Sequence, residues 1–412
     1  MLYIGLEQRM DSVGAKRIIT ILVLAVFVFG VARGINFPNI WTYTHYLFPC
    51  SEFFAKRTAF GCMVELVGIQ GLYTYEAFVY YCFLVLFVFL LSLAWLMVTT
   101  IARDGFFVFP GIFVFCAGLA PVYLSNIPGY FDFLGALVLL LGISIKSFRL
   151  KFLVVFFGYL CLVFVHEAIV IIFIPLAIVD LLMAIYAADQ KLQRKRVLLV
   201  LIMGFSILIL ALAVANSSIS PDMAMNLLTV AQGKTNIPLD RGVFDVFSRD
   251  IDDNRRLFLW WVGKLTSESG WLVGVKGYIG NFLLGALVIF ALNFKMASHV
   301  YGSKLLAVTI SLAPLSALAL LFVAYDIIRW AAWATACSFC LYVILCARGG
   351  AVALRSQRVS FVLIILFALY QTTISIPLLV PREAKPVIPA AVSYLHSVLT
   401  GAEPLSPNKP VY

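Results

Sequence analysis

The sequence predicts an all-α fold, a polytopic integral membrane protein with about 11 transmembrane helices. Three observations carry that reading. Of 412 residues, 63% are hydrophobic and 12% charged, with a mean hydropathy of +1.02, whereas a soluble domain is about half apolar and about a quarter charged. The apolar runs are near the roughly 20 residues of a spanning helix and lack the period-2 alternation of barrel strands. Basic residues gather in short turns between these runs, so the net charge of +10 reads as cytoplasmic turns rather than as a nucleic-acid footprint.

The stretch 152–187 shows the logic best. It reads FLVVFFGYLCLVFV, then His166-Glu167, then AIVIIFIPLAIVDLLMAIYA. It is too long for one crossing and suits two, joined by a tight turn at His166-Glu167, because an ionisable pair facing lipid at mid-bilayer is costly.

In chain order, Arg9, Lys16 and Arg17 precede an uncleaved first helix over 18–37. Residues 38–75 form a first external loop, aromatic and polar, with a short amphipathic helix expected at the interface. Spans two to four cover 76–99, 106–123 and 132–146, separated by Arg103-Asp104 and by the turn SNIPGYFD. Spans five and six fill 152–187, and DQKLQRKR leads into span seven over 197–215. The longest polar segment, 216–270, is a large external loop containing SRDIDDNRR and LFLWW. Span eight covers 271–292, Lys295 and Lys304 bracket a turn, and span nine covers 305–324. Span ten runs from the interruption at Tyr325–Trp330 to residue 347, span eleven covers 359–379, and a Pro-rich tail, 381–412, closes the single transmembrane domain 1–412.

With the N-terminus in the cytoplasm, the inside segments hold Arg9 to Arg17, Arg103, Lys146 to Lys151, Lys191 to Arg196, Lys295 and Lys304, and Arg348 to Arg358. That places 16 basic residues inside against five acidic ones, and leaves 14 against 15 elsewhere. This is the positive-inside distribution. The inside segments are too short for a nucleotide-binding domain, and Gly-rich phosphate loops are absent. Cys337 and Cys340 have no His or carboxylate beside them, and SRDIDDNRR lacks the spacing of a calcium loop, so neither a metal nor a cofactor is expected. Cys50 and Cys62 share the first external loop, where an oxidising compartment would allow a disulfide.

The polar residues that remain collect on the outer side: Glu52, Lys56 and Arg57 in the first loop, Tyr130 to Asp132, His166-Glu167, and Asp326 to Trp330. Charge at membrane depth gathers where a polar cavity opens, so Glu52, Arg57, His166, Glu167, Asp326 and Arg329 are expected to converge on one outer pocket.

The motifs Lys56-Arg57-Thr58-Ala59-Phe60-Gly61, Gly129-Tyr130-Phe131-Asp132, His166-Glu167 and Asp326-Ile327-Ile328-Arg329-Trp330, on an odd number of spans, resemble bacterial polytopic polysaccharide enzymes: the Wzy-like and EpsG-like polymerases and the GT-C glycosyltransferases. The Asp-x-Asp that many GT-C enzymes carry in the first external loop is absent, which argues against their metal-dependent mechanism. The resemblance implies a bacterial inner-membrane enzyme that transfers a sugar or glycan from a polyprenyl-phosphate or pyrophosphate donor, among membrane lipids and other glycan-assembly proteins.

That chemistry needs a carboxylate to take the acceptor's hydroxyl proton and cations to hold the departing phosphate. Glu167 and Glu52 are candidate bases. Lys56, Arg57 and Arg329 are candidate phosphate binders, His166 suits either job, and Asp132, Asp326 and Trp330 complete the substrate-binding set. Glu167 is expected to be poised near neutrality, since a helix start stabilises its charge while apolar surroundings oppose it. Plainer readings stand beside these: a helix cap for His166-Glu167, a helix ion pair for Asp326 and Arg329, lipid-headgroup contacts for Lys56-Arg57, and interfacial belt positions for Trp260, Trp261 and Trp330. A transporter or flippase would use the same external charges as one end of a pathway.

Overall fold

The structure is a computed structural model. It describes residues 13–48, 56–186, 190–249, 280–322 and 326–355, with the short pieces 252–253, 255–257 and 259–260 and residue 367. Glu52, Cys50, Trp261, span eleven apart from residue 367, and the tail 381–412 lie outside the described residues. All regular structure among the described residues is helical, with no strand.

The first half of the chain forms α1 (Val13–Gly34), α2 (Ile40–Tyr46), α3 (Ala59–Val67), α4 (Tyr75–Asp104), α5 (Phe109–Ala117), α6 (Leu119–Asn126), α7 (Asp132–Ser144), α8 (Phe148–Val165) and α9 (Ala168–Tyr186). The second half adds α10 (Gln190–Asn216), α11 (Pro221–Gln232), α12 (Arg241–Ser248), α13 (Gly280–Tyr301), α14 (Lys304–Leu312), α15 (Ile327–Ala347) and α16 (Val352–Arg355). Seven helices among the described residues are long and apolar enough to cross a membrane: α1, α4, α8, α9, α10, α13 and α15.

The expectation of about 11 spans meets local backbone chemistry at several of the remaining sites. The stretch 106–123 is not one helix. It opens with a 3₁₀ turn, Gly105–Val108, and Gly118 turns extended (φ −72°, ψ 177°) between α5 and α6. Helix α7 has 13 residues, about 20 Å at 1.5 Å per residue against about 30 Å of hydrocarbon. The expected span nine is helical only to Leu312 and then tightens into a 3₁₀ segment, Ala313–Phe322, at Pro314. The turn that Lys295 and Lys304 bracket falls at Gly302 and Ser303, with Lys295 still inside α13.

Helix α15 is the hub, with nearly every residue buried. A helix that is apolar all round must be enclosed by others, and α15 packs against α4, α5, α6, α9 and α13. Its fully buried Trp333 is ringed by Phe89, Phe133 and Phe173, with ring centroids 5.7, 5.2 and 5.1 Å away and planes tilted edge to face, the geometry that aromatic quadrupoles favour.

Close approach of α1 to α6 depends on Gly34. A Cβ there would overlap the Val122 carbonyl oxygen, and the Asn126 amide donates to the Gly34 carbonyl at 2.9 Å. Gly34→Ala is therefore expected to cost about 1–3 kcal/mol, as forced overpacking does. Thermal unfolding in detergent should show a clear fall in midpoint, and an unchanged midpoint would mean that α1 shifts freely.

A second apolar cluster forms a cap on one end of the bundle. It joins Tyr43, Tyr46 and Phe48, the start of α4, and Leu227, Val243, Phe244 and Phe247 of α11 and α12. Phe48 and Phe247 rings lie 4.4 Å apart, the Tyr43 hydroxyl donates to Thr235 at 3.0 Å, and the Asp240 N–H donates to the Thr44 hydroxyl at 3.1 Å. The expected first loop and the described part of the expected large loop thus fold together. The cap end also carries the α8–α9 turn, the start of α7 and the start of α15. The opposite end carries Lys16, whose ammonium donates to the Ala102 carbonyl at 3.2 Å.

Candidate functional site

Four stretches far apart in sequence bring charge to the cap end. Helix α8 ends at His166, whose extended backbone (φ −163°, ψ 108°) turns the chain. Glu167 follows, and α9 starts at Ala168. The His166 Nδ1 accepts the Ala168 N–H at 3.2 Å, satisfying one of the open donors of the α9 N-terminus. From α15, Arg329 reaches across to the first residue of α7. Its Nε donates to Asp132 Oδ2 at 2.7 Å and its Nη2 to Asp132 Oδ1 at 3.3 Å. Its Nη1 donates to Asp326 at 3.4 Å, and its Nη2 lies 3.2 Å from His166 Nε2. The guanidinium also lies 4.5 Å from the Tyr130 ring centre and 4.2 Å from that of Trp330.

Arg57 closes the group from the cap. It sits just before α3 in the left-handed backbone region (φ 67°), uncommon for a residue with a Cβ. Its Nη2 donates to Glu167 Oε1 at 2.7 Å and its Nε to Oε2 at 3.3 Å, the bidentate match of guanidinium to carboxylate.

The site has an inner layer and a rim. The Asp132 side chain is 0% exposed and that of Arg329 8%, while Arg57 and Glu167 are 17% and 15% exposed and Asp326 31%. Two nearly balanced units result, Asp132–Arg329 inside and Glu167–Arg57 at the rim, with Asp326 as the most open carboxylate.

Burial, the largest single influence, pushes the Glu167 carboxyl up, but the charge and hydrogen bonds of Arg57, together with His166 and a backbone hydrogen bond, outweigh it and hold the carboxyl well below the usual carboxylate range. In this arrangement Glu167 is an ion-paired anion rather than the base poised near neutrality that the sequence led us to expect. Asp326 behaves oppositely: burial, with Asp132 also facing the same arginine, raises it, and Arg329 only partly offsets this. His166 is lowered to about 4, by burial first and then by Arg57. Geometry agrees: Nδ1 needs its lone pair to accept the Ala168 N–H, and an imidazolium would set a second cation against the Arg329 guanidinium, 3.2 Å from Nε2.

His166 is therefore buried neutral, with a folded-state pKa below its unfolded value of about 6.5. Its contribution to stability is present above pH 6.5 and is lost as pH falls toward 4. His166→Gln should flatten the stability decline of the wild type between pH 6.5 and about 4 in detergent unfolding; parallel declines would show that His166 is not the titrating group.

The structure brings together Arg57, Asp132, His166, Glu167, Asp326 and Arg329. It places Lys56 elsewhere: that side chain is buried and its ammonium donates to the Arg249 carbonyl, which ties the first loop to the chain after α12. Trp330 is buried, 3% exposed, against Arg329, and occupies neither a belt position nor an open face. Two residues went unnoticed in the sequence. Trp333 donates from Nε1 to Asp132 Oδ2 at 3.1 Å; its position four residues after Arg329, on the same helical face, was the available signal. His45, buried in α2, lies close enough to feel Arg57, His166 and Glu167, and burial first and Arg57 second hold it well below its usual value.

Comparison with protein-family models, curated proteins and solved structures finds no match to this chain.

Proposed function

We propose that this chain is a polytopic membrane glycosyltransferase or polysaccharide polymerase of the Wzy-like, EpsG-like or GT-C kind. It would act on a polyprenyl-linked glycan at the extracytoplasmic face of a bacterial inner membrane, with its N-terminus in the cytoplasm. One observation carries the reading: residues from the first loop, the start of α7, the α8–α9 turn and the start of α15 meet in one largely buried group of ion-paired side chains at the capped end of an apolar bundle. Burying two arginines and three carboxylates costs several kcal/mol per ion before pairing, and in membrane segments such groups mark function. Arg57 at the rim suits a phosphate oxygen pair. Glu167 and Asp326, the two rim carboxylates, suit proton transfer. Arg329 is already committed to Asp132 and anchors the inner layer.

Two features support the orientation. Cys62, in α3 of the cap, is disulfide-bonded, which suits an oxidising compartment. Lys16, Arg103, Lys146, Arg149 and Arg348 fall at the opposite end of the bundle, as cytoplasmic turns do. Reporter insertions after Ser147 and after Gly233 are expected on opposite membrane sides, cytoplasmic and external respectively; both on one side would refute the orientation. The functional test is glycan analysis of cells lacking the protein: loss of one polymer with build-up of its lipid-linked unit at the outer leaflet is the expected result.

A second reading, flippase or transporter, has one observation in its favour. Lys151 and Asp180 form an ion pair at 2.5 Å inside the bundle, between α8 and α9, with side chains 4% and 7% exposed. A charge pair at membrane depth is a feature of transport pathways. Accumulation of the lipid-linked unit confined to the inner leaflet would select this reading.

A further inference from the structure

We propose that the Arg57–Glu167 pair is a latch that a phosphate-type anion opens: the anion takes the Arg57 donors and thereby releases the Glu167 carboxylate to act. The inference deepens the proposed function and rests on its assignment of Arg57 as the phosphate-binding cation.

Three features support it. The pair is the accessible arginine–carboxylate unit of the site, since Arg57 and Glu167 are 17% and 15% exposed whereas Asp132 and Arg329 are 0% and 8%. Both contacts to Glu167 use the Arg57 edge formed by Nη2 and Nε, and that edge is the one two phosphate oxygens would take. A phosphate diester or pyrophosphate with equal or greater charge therefore competes for the same N–H groups. Finally, Arg57 is held from a left-handed backbone (φ 67°) between Lys56, anchored on the Arg249 carbonyl, and the start of α3. Such backbone strain persists where surroundings over-determine it and clusters at ligand clamps.

Release changes what Glu167 is. The Arg57 N–H groups turn to the phosphate, whose negative charge offsets the guanidinium's, and the neighbour left on Glu167 is the imidazole of His166, whose Nδ1 lies 3.9 Å away. Burial then dominates and the carboxylate becomes a better proton acceptor. In the transfer step the acceptor hydroxyl gives its proton to Glu167 as its oxygen bonds to the sugar's anomeric carbon. The bond from that carbon to the phosphate oxygen breaks, the electron pair stays on the phosphate held by Arg57, and Glu167 later returns the proton to water or phosphate. Without a donor on Arg57, Glu167 stays paired, so the arrangement couples activation of the base to arrival of the substrate.

The test is binding of inorganic pyrophosphate to the purified full chain in detergent, by calorimetry. If the carboxylate competes for Arg57, Glu167→Gln binds pyrophosphate at least ~10-fold more tightly than wild type, because a charge-assisted competitor worth roughly 1.5–3 kcal/mol has gone, and Arg57→Gln loses binding. Glu167→Asp, whose shorter side chain weakens the pair, should lie between wild type and Glu167→Gln and serves if the latter misfolds. Equal affinity of wild type and both Glu167 variants, with Arg57→Gln weakened, would overturn the latch while leaving Arg57 as an anion site. Absence of binding in wild type and Glu167 variants alike would overturn the phosphate-binding assignment as well.

Discussion

Replacing Asp132 with alanine should lower the stability of the folded chain by about 3–5 kcal/mol, the cost of removing one partner of a buried ion pair. The reason lies in what the change leaves behind. Arg329 is 8% exposed and loses two hydrogen bonds, of 2.7 and 3.3 Å. Trp333, fully buried among aromatic rings, loses the acceptor of its indole N–H. Asp326 lies 3.4 Å away and the lone pair of the neutral His166 ring is taken by the Ala168 N–H, so the guanidinium keeps at best a partial counter-charge. Replacing both partners with apolar residues, Asp132→Leu with Arg329→Met, should recover much of the loss, since apolar substitution of a whole buried pair is often neutral or better. Unfolding in mixed detergent micelles measures both. A loss below about 1 kcal/mol for Asp132→Ala, the scale of an exposed pair, would show that water reaches the inner layer.

The same comparison separates the two arginines by role. Arg329 is fixed on five sides, by Asp132, Asp326, His166, Tyr130 and Trp330, and its loss should be read mainly in stability. Arg57 pairs with a rim carboxylate on a cap segment, and under the proposed function its loss should be read mainly in substrate binding.

The helical class and the gathering of Arg57, His166, Glu167, Asp326 and Arg329 were legible from the sequence, for one physical reason. An ionisable residue interrupting an apolar run has few low-cost places to go, so its position along the run nearly fixes its depth. What the run does not fix is the partner. Asp326 and Arg329, three residues apart, invite a local ion pair, and that contact is present at 3.4 Å. The dominant partner is nevertheless Asp132, at 2.7 Å and nearly 200 residues away, a choice made by the packing of α15 against its neighbours. Lys56 beside Arg57 shows the same limit: adjacent residues in a turn point apart, one to the Arg249 carbonyl and one to Glu167. The breaks at Gly118 and Pro314 were present in the sequence, but an apolar count cannot distinguish one 18-residue helix from two of 9 and 8 residues, because hydropathy carries no backbone information.

If the chain performs the proposed glycan transfer with Glu167 as its base, Glu167→Gln should leave the protein folded while reducing transfer by about 10²–10⁴-fold, the usual effect of removing a general base. The amide keeps the side chain's volume and one acceptor oxygen for Arg57, so the α8–α9 turn, set by the His166 N–H to Leu162 carbonyl bond at 2.9 Å and by the His166 cap on Ala168, is not disturbed. What it loses is the ability to take a proton. The variant should therefore reach the membrane at wild-type level and fail to restore the glycan in a deletion strain, even though it binds anions better. Asp326→Asn is the control for the other rim carboxylate, which burial already raises. If Glu167→Gln complements fully and Asp326→Asn does not, the base is Asp326 and Glu167 serves only to hold Arg57. If both fail, two carboxylates divide the proton traffic, and the pH dependence of transfer in each variant assigns them: the wild-type profile loses its acid-side limb in whichever variant lacks the base.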